Sequence, residues 1–185
     1  MAESPVVRNH NGVMMNDIVD MLKKHEGYRK FPYEDTEGHQ TIGYGFKMDA
    51  LNTKEIIIAL LSYISDTTID KFMRKCAPEA RKIIEKMGVG KDLADMILRN
   101  KIHNIKEEMI DRYDWIVMLT SERRNVIIDM AYNMGFAGLN TFRKMIRAIR
   151  NCDWDKAADE MLDSKWAKQV GGRAKELAKI MREGR

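Results

Sequence analysis

The chain has 185 residues, 44% apolar and 32% charged, which suits one compact domain or two small lobes sharing a core and excludes a disordered polymer. A net charge of +4 and an isoelectric point near 9.0 favour anionic partners. Nucleic acid, anionic lipid and acidic cell-wall polymer all qualify, so charge alone does not choose among them.

The N-terminal stretch MAESPVVRNHNGVMMND lacks a basic segment followed by a long apolar run, so neither a cleavable signal nor a membrane anchor is expected there. No later stretch is long and apolar enough to span a bilayer. Residues 1–14 read as a loose arm. From Asp17, the apolar positions Ile18, Met21 and Leu22 recur at helical spacing, with Asn16 or Asp17 as N-cap. His25 and Glu26 continue that stripe, and Gly27 is a natural stop. Residues 28–33 alternate toward strand, and Pro32 implies a sheet edge. Asp35-Thr36-Glu37-Gly38 reads as a turn, with residues 40–44 returning as a second strand. Gly43 and Gly45 weaken that strand and suggest a close backbone approach.

After Phe46 the pattern is helical throughout. Thr53, Asp66 or Thr67, and Pro78 open successive helices, the third stopping at Gly88. Residues 91–112 form a long, charged, periodic helix carrying Leu93, Ile97, Ile102, Ile105 and Met109, which suggests a strut between lobes. A short helix follows over 113–119. Ser121 opens another whose apolar face is Val126, Ile127, Met130 and Ala131, ending at Gly135. Thr141, Asp153 and Gly171-Gly172 punctuate three last helices. The expected architecture is α+β and mostly α-helical. A small lobe of about 15–90 holds a hairpin sheet, the helix at 91–112 connects, and an all-α lobe fills about 113–185.

Chemistry concentrates in EGYRKFPYEDTEGHQTIGYGF, residues 26–46. Glu26 and Asp35 lie nine residues apart, and Thr41 follows six residues later. A carboxyl pair flanking a groove is the minimum equipment for cleaving a glycosidic bond: one protonates the leaving oxygen, the other directs a water or attacks the sugar carbon. An acid near a helix C-terminus is ordinarily a solvated residue. Glu26, however, follows Leu22 by four residues on the apolar stripe, so its carboxyl should point inward. The negative end of the helix dipole and burial both disfavour its ionisation, as a general acid requires. Asp35 alone is ordinary turn chemistry, and Thr41 alone is strand filler; beside a suspect acid, the two can hold a water.

Tyr28, Tyr33, Tyr44, Tyr132 and Trp166 could stack on sugar rings, but core packing accounts for most of them. Trp154 and Trp166 have apolar neighbours at helical spacing and read as core. No histidine has a partner at metal-ligand spacing, and no phosphate loop or nucleophile elbow occurs. No metal site and no cofactor are expected. Cys76 and Cys152 leave a disulfide open, with two free thiols the expected state.

These motifs resemble the phage-type lysozymes, the T4 lysozyme family of endolysins. The likeness begins with His25-Glu26-Gly27. It continues through Tyr33-x-Asp35-Thr36-Glu37-Gly38 and Thr41-Ile42-Gly43-x-Gly45. A second block is Arg123-Arg124 leading into Met130-Ala131-Tyr132-Asn133-Met134-Gly135, then Phe142. A third is Trp154-Asp155-x-Ala157-Ala158, then Ser164-Lys165-Trp166 and Arg173-Ala174.

The resemblance implies a lysozyme-like domain over 15–185. Its activity would be that of a muramidase, cutting the β-1,4 bond between N-acetylmuramic acid and N-acetylglucosamine in bacterial peptidoglycan. Glu26 would be the general acid, and Asp35 and Thr41 would position the attacking water, giving inversion. Arg173 would support Glu26, while Lys47, Tyr132 and Asn133 fall at substrate-binding positions. A monomer acting on the cell wall is implied, made in the host cytoplasm and released through a holin-type lesion.

The chain departs from the family at Phe46, where relatives commonly carry His, and at Met145 and Glu160, which replace smaller polar groups. Segment 48–90 is longer than in the type member. Two other readings compete: a non-catalytic wall-binding or phage structural module, and a nucleic-acid-binding helical domain. The first does not need an intact Glu26, Asp35 and Thr41. The second is disfavoured because 32 basic residues are interleaved with 28 acids and form no dense patch. Stable membrane insertion is not expected.

Overall fold

The computed structural model describes residues 17–35, 38–48, 86 and 88–184. The arm expected at 1–14, all but the last residues of the helices expected between Thr53 and Gly88, and Cys76 fall outside them. The architecture is α+β and mostly helical, with one small antiparallel sheet, as the sequence leads one to expect. Among the described residues, no helix is long and apolar enough to cross a membrane.

By compactness the chain divides into Leu22–Lys101 and a second unit of Met1–Met21 with Ile102–Arg185. The first unit begins within helix α1 (Asp17–Glu26), whose Leu22 is fully buried. Gly27 ends this helix at φ +64°, its N–H returning to the Lys23 carbonyl at 3.1 Å. Three strands follow in the order β1 (Arg29–Glu34), β2 (Gln40–Gly43) and β3 (Phe46–Lys47). Strand β1 is an edge, consistent with Pro32, and its register shifts between Arg29 and Tyr33. Strand β3 corrects the expectation that all is helix beyond Phe46. Two residues are too few to show an alternating pattern, yet Ile42 pairs with Phe46 and Thr41 with Lys47.

Helix α2 (Lys91–Arg112) matches the expected 91–112 span and has residues in both units. In the first unit its Ala94, Ile97 and Leu98 are buried along with Ile42, Tyr44, Phe46 and Val89. Val89 also ties to β1: its N–H donates to the Lys30 carbonyl at 2.8 Å, and its carbonyl accepts from the Tyr28 hydroxyl at 2.6 Å.

The described residues of the second unit are mainly helical. After a 3-10 turn (Asp114–Met118) come α3 (Ser121–Leu139), α4 (Arg143–Arg150), α5 (Trp154–Leu162), α6 (Lys165–Val170) and α7 (Gly172–Glu183). Thr120, Asp153 and Ser164 cap α3, α5 and α6 through side-chain oxygens. The Ser164 cap accounts for a fourth helix where three were expected after Thr141. The helical run is interrupted at Gly135, as expected, where φ is +69° and ψ 171°; a short further helical stretch then continues to Leu139. Helix α7 packs on α3, α5 and α6, and the core includes Ile127, Met130, Met145, Met161, Leu177 and Met181. Trp154 is half-buried rather than core, and what covers one face of its ring is the Arg123 guanidinium, 3.9 Å from the centroid.

Candidate active site

Four of the expected site residues, Glu26, Asp35, Thr41 and Lys47, belong to the unit Leu22–Lys101. Glu26 is the last residue of α1 and is half-buried. Its carboxylate lies against the turn between β2 and β3: a Cβ built on Gly45 would stand 2.8 Å from Glu26 Oε2. Gly45 has φ +71°, so glycine is needed there both for its backbone angle and for its missing side chain.

Asp35 follows β1 and organises the turn into β2. Its N–H donates to the His39 carbonyl at 2.9 Å, and its Oδ1 accepts from the His39 N–H at 2.8 Å. Gly38, at φ +82°, donates its N–H to the Asp35 carbonyl at 3.1 Å. The second carboxylate oxygen, Oδ2, lies 3.4 Å from Thr41 Oγ1, which is also 3.1 Å from the His39 carbonyl. Thr41 Oγ1 carries one proton and can donate it either to the His39 carbonyl or to Asp35 Oδ2, and its lone pairs can accept in turn. Thr41 is buried, at 2% exposure, so this pair is reached from the half-exposed Asp35 side.

Tyr33, Thr41 and Lys47 pair across the three strands and share one sheet face. Burial raises the Tyr33 phenol above its ordinary value; Arg29, stacked 4.4 Å from the ring centroid, opposes this, while Glu26 and Asp35 both push it further up. Both acids therefore act on one phenol, which stays protonated and can donate a hydrogen bond. Sequence offers Tyr33 only as a sugar-stacking ring; the influence of both carboxylates on its phenol has no local signature.

Behind this face, Tyr44 is buried and donates its hydroxyl to Asp95 Oδ1 at 2.8 Å, while Lys23 pairs with Asp95 Oδ2. Burial, the Asp95 hydrogen bond and the Asp95 charge raise the Tyr44 phenol to about 12. Burial pushes Asp95 up, but hydrogen bonds from Lys23 and Tyr44 and the charges of Lys23 and Lys91 outweigh it, leaving the carboxyl below its usual range. Tyr44 is thus a packing and tethering residue, not a groove lining.

The remaining expected residues belong to the second unit. Asn133 is exposed, and its Oδ1 accepts from Trp166 Nε1 at 2.8 Å; Trp166 is itself buried against Phe142. Tyr132 is half-buried. Arg173 Nε donates to the fully buried Asp129 at 2.8 Å, a pair that sequence spacing does not reveal. Cys152 is a free, exposed thiol. Among the described residues, no three His, Cys, Asp or Glu side chains gather to hold a metal.

Residues 23–183 match the family described as phage lysozyme. Two proteins of Dictyostelium discoideum, probable T4-type lysozymes 2 and 1, are 29% and 27% identical, each match covering 92% of this chain and 96% of the relative. The pre-baseplate central spike protein Gp5 of Enterobacteria phage T4 is 30% identical over the whole chain, which spans 30% of that protein's length.

Proposed function

This chain belongs to the phage lysozyme family, and from that premise we propose that it is an endolysin. The family carries lysozyme-type glycoside hydrolase activity, with bacterial peptidoglycan as its substrate. In our reading the chain hydrolyses the β-1,4 bond between N-acetylmuramic acid and N-acetylglucosamine with inversion, and reaches the wall through a holin-type lesion. The observation that carries the mechanism is the Asp35–Thr41 pair. A carboxylate oxygen and a hydroxyl 3.4 Å apart can orient a water between them, and the carboxylate can draw off its proton as it attacks. Glu26, seated against Gly45, protonates the leaving oxygen. Lys47 stands opposite Thr41 in register, which supports a substrate contact. The roles of Tyr132, Asn133 and Arg173 rest on family likeness.

A pure muramidase releases reducing muramic-acid ends from purified peptidoglycan and no anhydro sugar. An inverting one gives first product of opposite anomeric configuration by NMR; first product of retained configuration would overturn the water-positioning role. Glu26→Gln should fold and lose activity by a factor on the order of 10²–10⁴. Near-normal lysis by that folded variant would remove Glu26 from the chemistry.

The likeness to a spike protein supports a second reading, a structural or wall-binding module of a larger assembly. Such a module binds sacculi without releasing reducing ends, so the same digestion separates the two.

A further inference from the structure

One carboxylate, Asp95, holds both the helix that carries Glu26 and the residue that precedes Gly45. Glu26 rests against the backbone of Gly45, close enough that a Cβ there would meet Oε2 at 2.8 Å. Tyr44, the preceding residue, is buried and donates its hydroxyl to Asp95 Oδ1 at 2.8 Å. The other Asp95 oxygen takes the ammonium of Lys23, which also lies 5.9 Å from the Tyr44 ring centroid. Lys23 stands three residues before Glu26 on α1, so the two are neighbours on the helix surface. The helix that carries Glu26 and the turn on which Glu26 rests are therefore tied to one point on α2.

We propose that Asp95 is a positioning residue for the reaction: by holding Lys23 and Tyr44 together, it fixes the Glu26 carboxyl at the place where it must deliver its proton. This rests on Glu26 being the general acid. The chemical argument is one of geometry. A displacement of about 1 Å in a reacting group costs roughly 10²-fold in rate, whereas a half-exposed ion pair contributes little to stability. Loss of the clamp should therefore appear in turnover before it appears in folding. Tyr44 matters through its hydroxyl, because its ring keeps separate contacts with Tyr28 and Phe46. Asp95 does not act on the substrate, so binding should be spared.

The test compares Tyr44→Phe, Asp95→Ala, Asp95→Asn and the Tyr44→Phe/Asp95→Ala double variant on soluble cell-wall oligosaccharides, with Glu26→Gln alongside. Circular dichroism at the assay temperature selects folded protein. Tyr44→Phe and Asp95→Ala should each lose about 10-fold or more in kcat with KM within about 2-fold. The double variant should be no worse than Asp95→Ala, since both remove the same clamp. Asp95→Asn keeps an acceptor for Tyr44 and should recover part of the loss. Unchanged kcat in folded Tyr44→Phe and Asp95→Ala, or losses that simply multiply in the double variant, would overturn the proposal. A fully active Glu26→Gln would instead defeat the assignment beneath it; an inactive Glu26→Gln beside a fully active Tyr44→Phe defeats the clamp alone.

Discussion

The Glu26 carboxylate and the Gly45 backbone occupy adjoining space with no room for a methyl group, since a Cβ on Gly45 would fall 2.8 Å from Oε2. Gly45→Ala also places a side chain at φ +71°, a strained angle costing roughly 1–2 kcal/mol. The atom it meets is the far end of a flexible side chain, so the fold should survive while the carboxyl swings away. We expect a folded variant that loses about 10²-fold in kcat. Activity within about 2-fold of the parent would show that Glu26 works from another position.

Phe46, fully buried where family likeness leads one to expect His, should carry packing energy in place of a charge pair. Its ring lies under Gly43, where a Cβ would meet it at 2.7 Å, meets Tyr44 edge-on, and has the Lys101 ammonium 5.5 Å from its centroid. Phe46→Ala should cost about 3–5 kcal/mol through lost transfer energy and a cavity. Phe46→His should recover little of it. Urea unfolding measures both, and a cost below ~1 kcal/mol for the alanine variant would contradict the packing account.

Asp95 should leave a mark on the acid side of the stability profile. Its folded carboxyl is held below the usual range, so its contribution is complete above the unfolded value of ~3.9 and disappears as pH falls through the lower folded value. Asp95→Asn should therefore destabilise at pH ~7 and do so less at pH ~2.5. An equal difference between variant and parent in urea midpoint at both pH values would refute this.

Arg173 has a structural duty within its own unit. Asp129 is fully buried, and Arg173→Ala would strip its counter-charge, at a cost of about 3–5 kcal/mol. Replacing both, as Asp129→Leu with Arg173→Met, should restore much of the loss. Denaturant titration checks each variant. Any activity lost with Arg173 alone must be compared at equal folded fraction before Glu26 is invoked.

Local signals in the sequence reached far. The stop at Gly27, the edge position of Pro32 and the span 91–112 were all legible, because periodicity and turn chemistry act over a few residues. Gly45 was legible as a close approach, though not what approached it. Asp95 was not, since its partners Tyr44 and Lys23 lie 51 and 72 residues away and its own stretch reads only as a charged helix. Strand β3 was too short to register; the stop at Gly135 was legible, but not the short helical stretch that follows it. Trp154 read as core since composition does not tell burial by aliphatic neighbours from cover by an arginine.

The shape of β1 bears on how this protein behaves at high concentration. A strand edge left open is a template on which a second chain can add; on β1 the Lys30 carbonyl is already taken by the Val89 N–H. Here Pro32 lacks a donor, the register slips between Arg29 and Tyr33, and exposed Arg29 and Lys30 bring like charges toward any copy that approaches. The opposite edge, β3, offers only Phe46 and Lys47. Growth of the sheet from one molecule to the next is thus discouraged at both sides, despite the exposed Phe31 ring between them in β1. Pro32→Val should restore a donor on that edge and hasten ordered aggregation, seen as a shorter lag in thioflavin fluorescence at fixed concentration; an unchanged lag would mean that the charges suffice.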